Sequence, residues 1–237
     1  MIPIKDDNPT VTLPLMTVLL IVVNVAVFVC QWMLGPGAEA FVFRMGVIPW
    51  ELTHLTELPH LPASHKSGLL NVTTPLTAMF IHGDLFHLLG NMLYLWIFGD
   101  NVEALTGHGR FLLFYLICGL AATTLHVVID PNSTLPMVGA SGAISGVLGA
   151  YLIRFPRAKV HVLVIFFFFI RIIRISALFV LGFWFLMQIW SGLGTLGISG
   201  GGVAWFAHIG GFLTGLVLVF AFDRRERVRV VRGAGWR

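Results

Sequence analysis

The sequence has little charge for its length: 11% of its 237 residues are Asp, Glu, Lys or Arg, whereas 57% are hydrophobic. An ordinary soluble domain carries about 25% charged residues, so this chain cannot keep most of its surface in water. The formal net charge is +4, but the basic residues lie between and after apolar segments and not on one polar face. That placement argues against a nucleic-acid partner and predicts a lipid bilayer as the main solvent.

Cysteine is scarce, and the common metal-binding patterns are missing. Cys30 and Cys118 both lie inside apolar segments, where a thiol packs as a small apolar group and does not indicate a redox compartment. His82 and His87 are five residues apart, and the chain contains no H-E-x-x-H motif. We therefore expect no metal and no cofactor.

Six apolar segments approach the roughly 20 residues that a helix needs to cross a hydrocarbon core. No small-residue cleavage site follows the first of them, so we expect it to be retained as a helix and not removed as a signal peptide. The sequence predicts an all-α fold, a polytopic bundle of six transmembrane helices that forms a single domain over residues 1–237. The predicted helices occupy residues 13–34, 86–105, 110–129, 140–157, 175–192 and 204–222.

Three connecting segments need separate predictions. Residues 35–82 are polar and proline-rich, with a partly apolar middle, and are expected to form a loop on the membrane surface. Val160–Ile173 is too short to span because Lys159 and Arg171 interrupt it, so we place it at the membrane interface. The glycine-rich segment Ser191–Gly202 suits either a mobile lid or a flexible connection, and the sequence does not separate these two.

The distribution of basic residues predicts the orientation in the membrane. With six crossings and a cytoplasmic N-terminus, only Arg44 and Lys66 fall in outer loops, and the basic C-terminal tail lies in the cytoplasm. This is the positive-inside pattern, which a seventh crossing would reverse for the tail. Because no long Arg-rich and Ser-rich transit segment is present, we expect a bacterial inner membrane and not a mitochondrial one.

Polar side chains inside apolar segments are costly, so each of them calls for a partner or a function. Ser141 begins the fourth segment between Gly139 and Gly142, a pattern that suits either a nucleophile or a close helix contact. His208 lies near the start of the sixth segment and is either a base or a structural histidine. Since both segments are predicted to run from outside to inside, Ser141 and His208 lie at similar depth, which favours proton transfer between them.

The second segment offers further polar groups at the same depth. His87 and Asn91 are four positions apart, so they project from one helix face and could donate hydrogen bonds to an oxyanion near Ser141. No acidic residue lies in the helices at the depth of His208, so the arrangement is predicted to be a Ser–His dyad without a third member. An aspartyl protease, which needs two facing carboxylates, is excluded.

Together these motifs resemble those of the bacterial rhomboid intramembrane serine proteases, over roughly residues 75–220. Gly139-Ala140-Ser141-Gly142 matches the G-x-S-G motif of that family, and Ala207-His208-Ile209-Gly210-Gly211 matches its A-H-x-x-G. The chain departs from some members in carrying Ser145 where they have an aromatic residue against the histidine, and in lacking a Trp-Arg pair in the outer loop. The resemblance implies Ser141 as nucleophile, His208 as general base, His87, Asn91 and the Ser141 backbone N–H as the oxyanion hole, and His82, Gly139, Gly142 and Gly211 as supporting residues.

The resemblance implies hydrolysis of peptide bonds in or beside the transmembrane segments of other membrane proteins, at a site that opens to the outer side. Its partners would be transmembrane substrates and the lipid bilayer. Protonation of His208 would remove the base, so we expect activity to fall on acidification through the histidine range. Two alternatives remain: a catalytically silent relative that binds transmembrane clients, and a transporter that uses His87, Asn91 and Ser141 along its pathway.

Overall fold

The structure, a computed structural model, describes residues 2–10, 12–66, 71–166, 169–196 and 203–224 and is mostly helical. Five helices have 18 or more residues, and one of 14 residues lies among them. In chain order the helices are α1 (Leu15–Met33), α2 (Ala38–Met45), α3 (Pro49–His54), α4 (Thr74–Thr77), α5 (Leu85–Thr106), α6 (His108–Ile129), α7 (Ser141–Arg154), α8 (Ala177–Thr195) and α9 (Trp205–Phe222).

A three-stranded antiparallel sheet corrects the expectation of an all-α fold. Its strands are β1 (Ile2–Asp6), β2 (Lys159–Phe166) and β3 (Phe169–Ser176), in the order β1-β2-β3. The segment that was expected at the membrane interface therefore forms a hairpin. Its many Val, Ile and Phe residues favour strands, and the N-terminal residues add the third strand.

Contacts at both ends of neighbouring helices show that the six helices around the core alternate in direction. Helix α7 runs parallel to α9, because Ser141 contacts His208 at one end and Arg154 pairs with Asp223 at the other. Helix α1 is antiparallel to α5. Helices α6 and α8 are both antiparallel to α9. Parallel packing of α7 and α9 is what two helices require if both are to run from outside to inside.

Four helices within the described residues are long and apolar enough to cross a membrane: α1, α6, α8 and α9. Helix α5 carries Asn91, Asp100, Asn101 and Glu103 among its apolar residues. Helix α7 is only 14 residues long, which corresponds to about 21 Å at 1.5 Å per residue. The molecule is thus a helical membrane bundle in which α5 and α7 depart from ordinary spanning helices.

Helix α7 forms the centre of the bundle, and every residue from Gly142 to Tyr151 is buried. Glycines allow α9 to approach it at backbone distance, since a Cβ on Gly211 would overlap the carbonyl oxygen of Gly142. A Cβ on Gly215 would likewise overlap the carbonyl oxygen of Gly146. This contact is the close glycine packing by which membrane helices associate.

The segment between α1 and α5 packs against the residues that precede α7. Val47 and Met137 exchange two backbone hydrogen bonds, of 2.9 and 2.7 Å. The Gly139 N–H donates to the carbonyl oxygen of Ala78 at 2.9 Å. The part of residues 35–82 that the structure describes consists of short helices and turns, and it supports the chain just before Ser141.

Candidate active site

Ser141 is the first residue of α7, and a turn at Gly139 places it there. Gly139 has φ +125°, a conformation that favours glycine. A Cβ at this position would also lie 2.8 Å from the His87 ring. Because the first four N–H groups of a helix have no partner within it, the N–H of Ser141 points away from the helix hydrogen bonds, at its positive end.

The structure brings Ser141 and His208 together. The Oγ of Ser141 lies 2.8 Å from Nε2 of His208, which is a hydrogen-bond distance. The side chain of His208 is buried, with 8% of its surface exposed, so solvent competes little for this contact. A serine hydroxyl bonded to an imidazole is the arrangement that nucleophilic catalysis requires.

A residue that the sequence analysis did not single out completes this chain of hydrogen bonds. Nδ1 of His208 lies 2.8 Å from Oε1 of Gln188, a buried residue on α8. The signal was present, because a glutamine in the apolar segment 175–192 is as costly there as the histidines are. A third member of a triad is expected to be acidic, and Gln188 is a neutral amide, so the triad pattern does not predict it.

Aromatic side chains of α8 and α9 also contact His208. The ring of Trp184 lies 5.9 Å from the imidazole, and Trp205 at the start of α9 approaches it edge-on at 6.2 Å. Ser145 occupies the position at which some members of the resembled family carry an aromatic residue. Its hydroxyl donates to the carbonyl oxygen of Ser141 at 2.6 Å. Within the described part of the chain, Trp184 and Trp205 provide ring contacts to His208.

His87 lies beside Gly139, with its ring held by the start of α5. Asp84 caps α5 by accepting from the His87 N–H at 2.8 Å. The N–H of Gly83 donates to Nδ1 of His87 at 3.3 Å, so in the neutral ring Nε2 carries the hydrogen. This Nε2–H is on the side of the ring that faces Gly139.

Asn91 and His82 lie near His87 but are engaged differently. The Asn91 amide donates one hydrogen to the His87 carbonyl oxygen at 2.9 Å, which leaves its second hydrogen for another acceptor. His82 is fully buried, its ring lies 5.1 Å from that of His87, and its carbonyl oxygen accepts from Gln31 at 2.8 Å. The structure thus places His82 against the His87 ring, in the buried part of the bundle.

A cavity bordered by small side chains reaches Ser141. Eight of its thirteen lining residues are glycine or alanine, which leaves space for a small group beside the serine oxygen. Among the described residues, no cluster of three His, Cys, Asp or Glu side chains could hold a metal ion. The cavity is lined by Ala78, Met79, Gly119, Ala122, Thr123, Met137, Val138, Gly139, Ser141, Gly142, Ala143, Ala204 and Ala207.

Half of the segment Ser191–Gly202, which the sequence offered as a lid or a connection, falls outside the described residues. Helix α8 continues to Thr195, so Ser191 and Gly192 are helical and do not begin a loop. Residues 197–202 lie outside the part of the chain that the structure describes. The choice between a lid and a flexible connection stays open.

A helical membrane bundle with a Ser–His pair at the start of its central helix is the class of protein that these observations define. The family model described as Rhomboid domain matches residues 70–225. The chain belongs to the rhomboid family.

Several curated relatives support this assignment. Over 190 residues, 79% of this chain and 51% of the relative, it is 36% identical to "RHOMBOID-like protein 6, mitochondrial" of Arabidopsis thaliana. Over 213 residues, 84% of this chain and 56% of the relative, it is 29% identical to "Rhomboid protein 1, mitochondrial" of Saccharomyces cerevisiae. A shorter match of 77 residues, 32% of this chain and 15% of the relative, is 46% identical to "Rhomboid protease GluP" of Bacillus subtilis. The chain spans about half the length, or less, of these three relatives.

Proposed function

We propose that this protein is an intramembrane serine endopeptidase that cuts other membrane proteins in or beside their transmembrane segments. The observation that carries the proposal is the 2.8 Å contact between Ser141 Oγ and His208 Nε2 at the start of a buried helix. Membership of the rhomboid family supports it, because rhomboid proteins act on transmembrane substrates. One relative is itself named a protease.

The reaction has two steps that use the same pair of residues. In the first, Ser141 Oγ attacks the scissile carbonyl carbon while His208 Nε2 takes the hydroxyl proton. The C–N bond then breaks, His208 returns the proton to the leaving amine, and an ester on Ser141 remains. In the second, water attacks the ester, His208 takes its proton, and Ser141 recovers its hydroxyl as the new carboxyl product leaves.

The negative charge that develops on the carbonyl oxygen would be stabilised at the N-terminus of α7. The Ser141 N–H points out of the helix there, and the helix dipole favours an anion. The His87 Nε2–H faces Gly139, next to this position. The second hydrogen of the Asn91 amide is a further donor. The sequence predicts His87 and Asn91 as oxyanion donors, and the resemblance adds the Ser141 N–H.

The short central helix sets the depth of the site. A helix of about 21 Å cannot cross a ~30 Å core, so if Arg154 stays at one boundary, Ser141 lies below the other. With α5 and α7 included, the alternating helices make six crossings, and both termini lie in the cytoplasm. The site then opens to the outer side. Location in a bacterial inner membrane stays a prediction. One of the three relatives is from a bacterium, and the other two are named as mitochondrial proteins.

The small-residue cavity suggests which peptide bonds are cut. A side chain next to the scissile bond would lie against the cavity of about 20 Å³ beside Ser141, so a small residue fits best. A substrate helix must also unwind before its carbonyl reaches Ser141. Segments that contain helix-weakening residues should therefore be cut most readily.

The test compares the wild type with Ser141→Ala and His208→Ala, each reconstituted in lipid with a single-pass membrane substrate. Cleavage products are followed by mass spectrometry. We expect the wild type to cut the substrate in or next to its membrane segment, and we expect neither variant to cut it. Thermal unfolding of all three proteins in detergent is the control for folding.

Two outcomes would contradict the proposal. If all three proteins cut equally, the cleavage comes from another site or from a contaminant. If none cuts any of several substrates while all three bind them, the protein is a client-binding member of its family.

A further inference from the structure

Gln188 contacts the ring nitrogen of His208 that does not face Ser141. Its Oε1 lies 2.8 Å from Nδ1, and only 5% of the surface of Gln188 is exposed. A buried hydrogen bond of this length is held firmly, because no water competes for either partner. The imidazole is thus bonded on both sides, to Gln188 and to Ser141.

A second contact of Gln188 determines which of its atoms faces the histidine. Its Nε2 lies 3.0 Å from the carbonyl oxygen of Trp184, one turn earlier in α8. A carbonyl oxygen only accepts, so the amide nitrogen must point to Trp184 and the amide oxygen to His208. An amide oxygen also only accepts, so Nδ1 of His208 must carry the hydrogen. In the neutral ring, Nε2 is then the unprotonated nitrogen that faces the Ser141 hydroxyl.

We propose that Gln188 is a positioning residue: its side-chain oxygen holds His208 in the tautomer and orientation in which Nε2 accepts the Ser141 proton. This inference rests on the proposed protease function. Gln188 would do for this site what a buried carboxylate does in a serine–histidine–aspartate triad, without adding a charge. Trp184 and Gln188 share one face of α8, so a single helix holds the ring through both a hydrogen bond and an aromatic contact.

The role of Gln188 can be measured by placing a carboxylate at position 188, next to the His208 ring. Among the described residues, the titratable groups that act on the His208 ring are His87 and His126, which are both neutral or positive. A carboxylate at position 188 would be the first negative partner of the ring. It would stabilise the imidazolium, whereas the neutral amide of Gln188 fixes the ring and leaves its charge state to the reaction.

The experiment compares the wild type with Gln188→Met and Gln188→Glu, reconstituted in lipid, with kcat and KM for a single-pass substrate measured from pH 5 to 9. Methionine has a similar shape but no amide, so kcat should fall about 10- to 100-fold with KM unchanged, the range found when the hydrogen-bond partner of a metal-binding histidine is removed. Glutamate restores an acceptor, so it should recover much of kcat and move the acid limb of the rate–pH profile to higher pH. A purely structural residue would give no such rescue or movement.

The matched control is Asn24→Leu. Asn24 is buried on α1 and donates to the carbonyl oxygen of Leu20 at 2.7 Å, the same one-turn contact that Gln188 makes with Trp184. Its loss should lower thermal stability and leave kcat and the pH profile of the folded protein unchanged. An equal fall of kcat in Asn24→Leu and Gln188→Met would overturn the positioning role.

A second readout does not depend on cleavage. Nitrogen-15 NMR of labelled histidine, with the His208 signals assigned from their loss in His208→Asn, reports which ring nitrogen is protonated. We expect Nδ1–H in the wild type and a mixture of tautomers in Gln188→Met. If the tautomer is the same in both, or if Gln188→Met cleaves like the wild type, the inference fails. If the wild type keeps the Nδ1–H tautomer but cleaves nothing, the protease proposal fails and the contact itself stands.

Discussion

The two ends of the helical bundle hold their buried polar side chains in different ways. At the end near β1, the Glu103 carboxylate accepts from the N–H groups of Met16 and Thr17 and from the Thr17 hydroxyl, at 2.7 to 2.8 Å. It also contacts His108. At the other end, the Ser141 N–H lies outside the helix hydrogen bonds and Asn91 commits one amide hydrogen to the backbone.

This difference separates groups that stabilise the fold from groups that are available for chemistry. A carboxylate surrounded by donors leaves none of them for a substrate, and its removal leaves those donors buried without an acceptor. Donors around Ser141 that keep a free hydrogen cost some stability but are ready for an oxyanion. Substitutions at the two ends should therefore affect different measurements.

The largest loss of activity is expected for Gly139→Ala, a substitution at the end of the bundle that contains Ser141. Alanine at φ +125° is strained, and its Cβ would displace the His87 ring from its place beside Ser141. We expect kcat to fall by about 1,000-fold, since both the nucleophile and an oxyanion donor move. The control is Gly90→Ala on α5, where an added Cβ meets no atom within 4 Å. Equal kcat values for the two variants would contradict the claim that a side chain at position 139 distorts the site.

At the opposite end, Glu103→Ala should cost stability and not catalysis. Loss of the carboxylate leaves the first turn of α1 with three unpaired donors, and we expect a loss of about 3–5 kcal/mol in the free energy of unfolding. Thermal unfolding in detergent measures it, and Glu39→Ala at an exposed position of α2 is the control. The kcat of the folded fraction should equal that of the wild type. A tenfold change in that kcat would show that the two ends are coupled.

Two asparagines on α5 allow the comparison within one helix. Asn91→Ala removes an oxyanion donor, so kcat should fall about 10- to 100-fold, with little change in KM. Asn101 donates to Asp6 at 3.2 Å near the other end of the helix, so Asn101→Ala should lower the melting temperature and leave kcat unchanged. Steady-state kinetics and thermal unfolding of both variants measure these effects. A loss of kcat in Asn101→Ala together with a loss of stability alone in Asn91→Ala would contradict the distinction between the two ends.

Much of this arrangement could be predicted from the sequence, because the membrane restricts what a chain can do. The expected segments 86–105, 110–129 and 204–222 lie within two residues of α5, α6 and α9 at each end. Their apolar length alone predicts them. Counting crossings predicts that Ser141 and His208 lie at similar depth, since an even number of crossings leads from the start of the fourth segment to the start of the sixth.

The missed features depend on contacts between distant parts of the chain. Residues 2–6 carry too short a pattern to predict a strand, and they form β1 only because β2 is available to pair with. The predicted fourth helix, 140–157, ends at Arg154 in the structure, because Pro156 disfavours a helical conformation for Phe155 before it. Gln188 was missed because its role comes from the neighbouring helix, not from a motif.

The smallest expected effect concerns Asp6, which lies in β1 outside the membrane helices. Partial burial raises the pKa of its carboxyl from 3.8 to about 6, and the charge of Asp100 adds to this, while the hydrogen bond from Tyr151 opposes it. The folded state therefore prefers the protonated acid, so the contribution of Asp6 to stability is lost as the pH rises from about 4 through 6. Asp6→Asn lacks this loss and should be more stable than the wild type at pH 8, by about 1 kcal/mol after solvent screening.

Asp7 provides the matched control because its neighbours shift its pKa the other way. A hydrogen bond from His161 at 2.7 Å lowers the pKa of the Asp7 carboxyl, so its contribution is present at neutral pH and lost as the pH falls. Asp7→Asn should thus lower the melting temperature near pH 7, and the loss should fade in acid. Asp6→Asn should raise it by about 2–4 °C at pH 8 and match the wild type near pH 4. If both variants shift in the same direction at pH 8, β1 is held by net charge and not by the separate surroundings of these two carboxyl groups.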